Sequence, residues 1–118
     1  MSLVSRHLET NGLSTVVLGC ARDIVEECGV ARFVFTDFPL GNPCGKPWDA
    51  EMQRSIVENA LTLLERAWMP RTTVQTPFYW GNDAWRDAFM QVKDDNREAL
   101  IRAGEERRRL QAQRKVGL

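Results

Sequence analysis

The feature that most constrains this fold is a segment in which proline and glycine alternate. From residue 39 onward every second position is one of the two, in the order Pro39, Gly41, Pro43, Gly45 and Pro47. Neither a helix nor a central strand tolerates this spacing, because each proline lacks an amide donor and restricts the residue before it. Each glycine permits backbone angles that other residues avoid. The pattern predicts a stiff, extended loop with exposed backbone amides.

This loop lies between an apolar run and a long amphipathic pattern. Residues 32–36 (Arg-Phe-Val-Phe-Thr) precede it, and residues 49–67 repeat apolar side chains at intervals of three and four before Pro70. The order is that of a strand, a loop and a helix. Ligands of open α/β sheets bind outside the carboxyl ends of strands, so the loop is either a connector or a contact for a ligand or partner. The candidate ligand-binding residues are Asp37, Pro39, Gly41, Asn42, Pro43, Cys44 and Gly45.

The first third of the chain has the pattern of a βαβ unit. A short helix that ends at Asn11-Gly12 precedes a β-branched run at residues 14–19, which is typical of a strand buried on both faces. Residues 21–28 predict a two-turn helix that ends at Gly29, and residues 33–36 predict the next strand. A strand, a helix and a strand at this spacing predict parallel pairing with a right-handed crossover.

The second half contains one further β-prone segment and a polar end. Residues 72–80 alternate, but Pro77 restricts them to an edge strand or an extended arm. A helix is predicted from about Asp83, with Trp85, Phe89 and Val92 on its apolar face, and residues 105–115 are almost wholly polar. Two strands alone are not stable, so a second copy, another subunit or the arm around Val74 must complete the sheet.

These patterns together predict an α/β protein. The expected architecture is a small three-layer domain with a short parallel sheet, a long amphipathic helix and a C-terminal helix. Residues 1–104 are expected to form this domain, and residues 105–118 are expected to form a polar, partly helical tail.

Composition excludes several functional classes. The chain has 118 residues and no net formal charge, so nothing attracts it as a whole to nucleic acid or to an anionic membrane. It shows neither a signal peptide nor a window of the ~18 to 20 apolar residues that a membrane span needs. Its three cysteines make no disulfide framework. A cytoplasmic location is the prediction.

Few residues are candidates for chemistry. Cys44 is a weak catalytic candidate, because its thiol is expected to be accessible and Lys46 would favour the thiolate, but no Cys-x-x-Cys pair is present. The spacings of the cysteines and of His7 match no zinc pattern, so no metal is expected. No nucleotide-binding glycine motif is present, and no cofactor is expected. Asp37 is expected either to contact a ligand or to accept loop amides. The aromatic residues of the second half fit a core or an interface better than a nucleic-acid surface.

Residues 12–67 carry a family resemblance. The shared features are the strand Thr-Val-Val-Leu at residues 15–18, the second strand after Gly29, Phe-Pro-Leu-Gly-Asn-Pro at residues 38–43, and the helix containing Ile56 and Ala60. This half of the chain resembles the C-terminal part of the selenoprotein B subunits of glycine, sarcosine and betaine reductases, and of D-proline-reductase-like relatives.

The resemblance implies an activity and also a missing part. Members of that family cleave a carbon–nitrogen bond with dithiol reducing equivalents, and their selenocysteine or cysteine motif lies upstream of the segment matched here. The resemblance therefore implies a reductase subunit or domain that shapes the pocket for a small amine or amino-acid substrate without supplying the redox thiol. A homodimer or a larger reductase subunit is the expected partner. The alternative is a non-catalytic binding or assembly module on the same fold.

Overall fold

The protein is an α/β structure, described here from a computed structural model that covers residues 1–88 and 93–117. The described part contains, in chain order, α1 (Ser2–Thr10), β1 (Val17–Gly19), α2 (Arg22–Cys28), β2 (Arg32–Phe35), α3 (Ala50–Arg66), β3 (Thr72–Gln75), α4 (Ala84–Ala88) and α5 (Asp94–Val116). The chain packs as two units, Met1–Arg86 and Asp87–Leu118.

The first unit is built on a three-stranded parallel sheet in the order β1-β2-β3. Val17 pairs with Phe33, and Arg32 pairs with Thr72. The predicted βαβ unit is confirmed. The segment predicted as an edge strand or an arm is an edge strand, so this chain itself supplies the third strand that a stable sheet needs.

Side chains of β2 alternate between two apolar layers. Phe33 and Phe35 point to one face, where Val30 and Val25 of the α2 region pack against them. Val34 points to the opposite face and packs against Ala60 and Leu63 of α3. This alternation is the two-residue period of a strand, and a helix on each face makes the three layers that the sequence predicts.

Two helix ends have caps that the sequence provides, the start of α3 and the end of α2. Asp49 precedes α3 and its Oδ1 accepts a hydrogen bond from the Met52 amide at 3.0 Å, which satisfies one of the free donors of the first turn. Gly29 follows α2 in the left-handed conformation, with φ at 73°. Predicted and observed bounds of these two helices therefore differ by one residue at most.

Helix α1 is attached to the sheet by a half-buried polar cluster. The Glu9 carboxylate accepts hydrogen bonds from the amide and hydroxyl of Thr15, at 2.6 and 3.0 Å, and from Arg32 Nη1 at 2.9 Å. The Thr15 hydroxyl also bonds to Ser5 Oγ at 2.5 Å. Glu9 and Arg32 are 23 residues apart, so their pairing was not evident from the sequence.

The second half of the chain contains two helices where the sequence predicts one. Helix α4 covers Ala84–Ala88, and Lys93 is extended, with φ −97° and ψ 158°, immediately before α5. Phe89 and Val92, predicted to lie on the apolar face, are outside the described residues. Helix α5 includes most of the predicted polar tail, and its Leu100, Ile101 and Leu110 are about half exposed. None of the described helices has the length and apolar character to cross a membrane.

Candidate functional site

The candidate site lies at the carboxyl edge of the sheet, where Cys20, Thr36 and Thr76 follow the three strands. Thr36 and Thr76 are buried, and their hydroxyls are joined by a hydrogen bond of 3.1 Å. The Thr36 amide also donates to Gly19, and the Thr76 amide donates to Phe35, at 3.0 and 2.9 Å. The backbone ladder therefore extends to the last residue before each loop, which gives the loops a rigid base.

The proline- and glycine-rich loop folds into consecutive turns. Both the amide and the side-chain Nδ2 of Asn42 donate to the Pro39 carbonyl, at 3.2 and 3.0 Å, and the Gly45 amide donates to the Asn42 carbonyl at 3.3 Å. Gly41 and Gly45 have positive φ, which allows the chain to reverse at these points. The expectation of an extended loop with exposed amides was wrong, because these amides are used to form the turns.

The loop partly encloses Cys20. The backbone of Asn42 and that of Phe38 lie close to the Cys20 thiol and favour its ionised form. Burial nevertheless dominates, and it raises the pKa of the Cys20 thiol above its ordinary value of 9.0. Cys20 is therefore protonated at neutral pH and is not an activated nucleophile. The sequence analysis assigned Cys20 no role, although its position directly after β1 places it at the same edge as the loop.

Asp37 forms an ion pair with Arg86 beside the loop. Asp37 Oδ2 lies 2.5 Å from Arg86 Nη2, and Arg86 Nε lies 3.2 Å from Asp83 Oδ1. The hydrogen bond that Arg86 donates to Asp37 raises the pKa of Arg86 above its ordinary value, and the bond to Asp83 adds a smaller increase. The guanidinium therefore stays charged. The Asp37 side chain is 34% exposed and that of Arg86 is 46% exposed. The sequence suggested Asp37 as a site residue but did not suggest Arg86.

Aromatic contacts join the loop to the segment that follows β3. The buried Phe38 ring packs edge-on against Trp80, with a centroid separation of 5.2 Å. The Lys46 ammonium lies 5.6 Å from the centroid of the same Trp80 ring. Lys46, suggested by the sequence as a neighbour that activates Cys44, is thus placed where it makes a cation–π contact with Trp80.

Part of the loop also lines a groove against α1, which we call the α1 groove. Its volume is about 290 Å³, and its walls are mainly apolar. Pro43 and Cys44 form one end, and Cys44 is exposed. The remaining lining residues are Met1, Val4, Ser5, Leu8, Thr15, Val16, Val17 and Leu18.

The structure therefore places the seven candidate loop residues in four different settings. Pro39, Asn42 and Gly45 form the turns, and Asp37 pairs with Arg86. Pro43 and Cys44 line the α1 groove, whereas Gly41 is exposed with no atom near the position of a missing side chain. Among residues 1–88 and 93–117, no group of three or more histidine, cysteine or acidic side chains is arranged to hold a metal ion.

Comparison of the chain with protein-family models, with curated proteins and with solved structures finds no match.

Proposed function

We propose that this chain is a subunit or domain of an oxidoreductase similar to the glycine, betaine and D-proline reductases. In this proposal it shapes the substrate pocket, and a partner or a preceding domain supplies the redox thiol or selenocysteine. The observation that carries the proposal is the Asp37–Arg86 ion pair, which lies beside the proline- and glycine-rich loop at the carboxyl edge of a parallel sheet.

The two ends of this ion pair complement the two charges of an amino acid. A substrate ammonium group fits the Asp37 carboxylate, and a substrate carboxylate fits the planar guanidinium of Arg86. Opening the pair is easy, because an ion pair this exposed contributes little to stability. The contact with Asp83 and the stacking on Trp85, whose centroid is 4.5 Å away, hold the guanidinium in place when Asp37 turns to the ligand.

The state of the cysteines supports a non-redox role for this chain. The raised pKa of Cys20 keeps its thiol protonated. Cys44 remains the weak catalytic candidate, because its thiol is the exposed one at the loop. All three cysteines are free, which fits a reducing compartment, and the proposal therefore places the protein in the cytoplasm.

Titration of the ¹⁵N-labelled protein with glycine, sarcosine, betaine and D-proline tests the proposal. We expect saturable shifts of the amides of residues 37–45 and of Arg86. Asp37→Asn and Arg86→Gln should each weaken binding at least about tenfold, because each removes one charged contact. Arg22→Gln is the matched control, since Arg22 also forms an exposed ion pair, with Glu26 on α2, and should leave binding unchanged.

Two results would contradict the zwitterion site. One is the absence of saturable shifts up to about 50 mM, which is above the millimolar affinity expected of so small a ligand. The other is equal binding of N-acetylglycine, which keeps the carboxylate but lacks the ammonium group that Asp37 would hold.

The alternative, a non-catalytic assembly module, is favoured by one specific observation. Trp48 is fully exposed and has a φ of 64°, an unfavourable conformation for a bulky residue. Co-expression with an adjacent reading frame that encodes a cysteine- or selenocysteine-containing half separates the two proposals. A stable complex with reductase activity supports the reductase subunit, and a complex that forms without activity supports the assembly module.

A further inference from the structure

One edge of the sheet is open in the Met1–Arg86 unit. Thr72 and Thr76 donate their amides to Ala31 and Phe35 of the β2 side, at 3.1 and 2.9 Å. In a parallel sheet the N–H and C=O groups of one residue point to the same side of the strand, and those of the next residue point to the opposite side. The N–H and C=O groups of Thr73 and Gln75 therefore face away from β2.

The edge at β3 lacks the devices that usually prevent strand addition. Natural edge strands often carry a lysine, a proline or a bulge, whereas β3 has the uncharged sequence Thr-Thr-Val-Gln. At the opposite edge, α1 is attached to the residues just before β1, because Glu9 accepts a hydrogen bond from the Thr15 amide and the hydroxyls of Ser5 and Thr15 are hydrogen-bonded. Of the two edges, β3 is therefore the one that offers its backbone groups to another chain.

Hollows flank β3 on both faces of the sheet. On the α3 side a hollow of about 280 Å³ has Leu63 and Val74 among its apolar lining residues, with Arg66 and Trp68 also lining it. On the α2 side a smaller hollow of about 190 Å³ is lined by Glu26, Val30, Arg71 and Thr73. Because side chains alternate along a strand, an added strand would place successive side chains in these two hollows.

The charges at this edge favour an acidic occupant. Arg66 and Arg71 are exposed, and neither forms an ion pair within the described part of the chain. Glu26 lines the smaller hollow together with Arg71, and its carboxylate already forms an ion pair with Arg22. The edge thus presents two arginines without an ion-pair partner in the described part of the chain, which favours a partner with carboxylates.

A second copy of this chain fits the edge less well. Symmetric pairing of β3 with β3 must be antiparallel, and pairing centred on Thr73 or Val74 brings Arg71 opposite residues 75–77 of the other copy. Those residues are Gln-Thr-Pro, so none is acidic. Such a dimer would leave both Arg71 side chains without a carboxylate partner.

We infer that the outer edge of β3 binds an extended acidic segment of another protein by strand addition. The segment pairs with the backbone of Thr73 and Gln75, places an apolar side chain in the hollow beside Val74, and directs carboxylates to Arg66 and Arg71. This surface is separate from the Asp37–Arg86 pair, so it does not depend on the ligand of the loop.

Binding of a capped heptapeptide, Glu-Glu-Leu-Glu-Leu-Glu-Glu, to the full chain tests the inference, because its two end glutamates share the face of the leucines and of Arg66, and its three inner glutamates face the side of Arg71. We expect saturable amide shifts centred on residues 72–75, with slower hydrogen exchange at Thr73 and Gln75 when peptide is bound. The matched peptide with lysine in place of glutamate should bind at least about tenfold more weakly, which corresponds to ~1.4 kcal/mol.

The variant Gln75→Pro removes one outward amide donor and keeps the inward bonds of β3. It should weaken peptide binding at least about tenfold, whereas Gln75→Ala, which keeps the donor, should stay within about threefold. Arg71→Gln should reduce the preference for glutamate over lysine. A melting curve checks that the Gln75→Pro variant folds. If the variant does not fold, hydrogen exchange of the unchanged protein with and without peptide tests whether β3 pairs with the peptide.

Three outcomes would overturn the inference. Equal affinity for the glutamate and lysine peptides would show that the edge does not select an acidic segment. Unchanged hydrogen exchange at the Thr73 and Gln75 amides in the presence of saturating peptide would show that the peptide does not pair with β3. A dimer in light scattering that Gln75→Pro abolishes shows that a second copy occupies the edge.

Discussion

Gly41 and Gly45 share a backbone requirement but differ in their surroundings. Their φ values are 96° and 105°, a region that other residues rarely adopt. A Cβ at Gly45 would lie 3.2 Å from Ile56 Cδ1 and 3.2 Å from Met52 Cγ, whereas a Cβ at Gly41 would have no atom within 4 Å. Gly45 therefore serves both the turn and the packing of α3 against the loop, and Gly41 serves the turn alone.

Alanine at these two positions separates backbone strain from crowding. We expect Gly41→Ala to lower the free energy of unfolding by about 1 kcal/mol through strain. Gly45→Ala should cost about 1 to 3 kcal/mol in addition, because Ile56 and Met52 must move. Urea denaturation of both variants measures the difference. Equal losses would show that the buried neighbours of Gly45 adjust freely.

Between elements, Glu26 connects α2 to β3. Its carboxylate lies beside the Thr73 hydroxyl and accepts a hydrogen bond from Arg22 Nε at 3.0 Å. The Thr73 contact first and the Arg22 bond second lower the pKa of Glu26 below its ordinary 4.5. A carboxyl group with a lowered pKa in the folded state stabilises the fold only while it is ionised. The connection should therefore depend on pH.

The expected pH dependence has a definite sign. The contribution of Glu26 is fully present above about pH 4.5 and is lost as the pH falls below that value, because the unfolded chain then binds the proton more tightly. Glu26→Gln should melt at a lower temperature than the unchanged protein at pH 7, and the gap should narrow as the pH falls below 4.5. Glu27→Gln on the same helix is the control, with no gap at either pH. A gap that persists at low pH would mean that the charge of Glu26 is not the cause.

At the scale of the whole molecule, two tryptophans are almost fully exposed. Trp48 buries nothing in this chain and has a φ of 64°, and Trp68 is 88% exposed. A bulky residue with positive φ costs on the order of 1 kcal/mol and is retained where the surroundings or a partner require it. The Trp48 side chain therefore adds nothing to the packing of the described part of the chain.

Removal of this side chain should separate folding from assembly. We expect Trp48→Gly to keep the free energy of unfolding unchanged or to raise it by up to about 1 kcal/mol, since glycine accepts the backbone angle. Thermal melts measure this, with Phe38→Ala as the opposite case, because Phe38 is buried and its loss should cost about 3 to 5 kcal/mol. A clear loss of stability in Trp48→Gly would show that the side chain packs within the fold.

Local signals in the sequence were sufficient to predict several of the helices and strands. The parallel βαβ unit and α3 follow from apolar periodicity over a few turns, and the caps at Asp49 and Gly29 follow from single residues. That residues 39–47 form a loop also followed from the sequence, because proline and glycine at this spacing exclude a helix and a central strand whatever surrounds them.

The contacts between distant segments became evident only in the folded chain. From the sequence, residues 72–80 could form an edge strand or an extended arm. In the structure β3 pairs with β2, and this pairing uses backbone hydrogen bonds that no side-chain pattern predicts. Cys20 lies close to the backbone of the loop, and Asp37 pairs with Arg86, which is 49 positions away in the sequence. Such contacts form because the carboxyl ends of parallel strands lie at the same edge of the sheet. The turns of the loop likewise depend on the folded chain, because its backbone amides form hydrogen bonds there. The sequence of the loop alone is also compatible with an extended conformation.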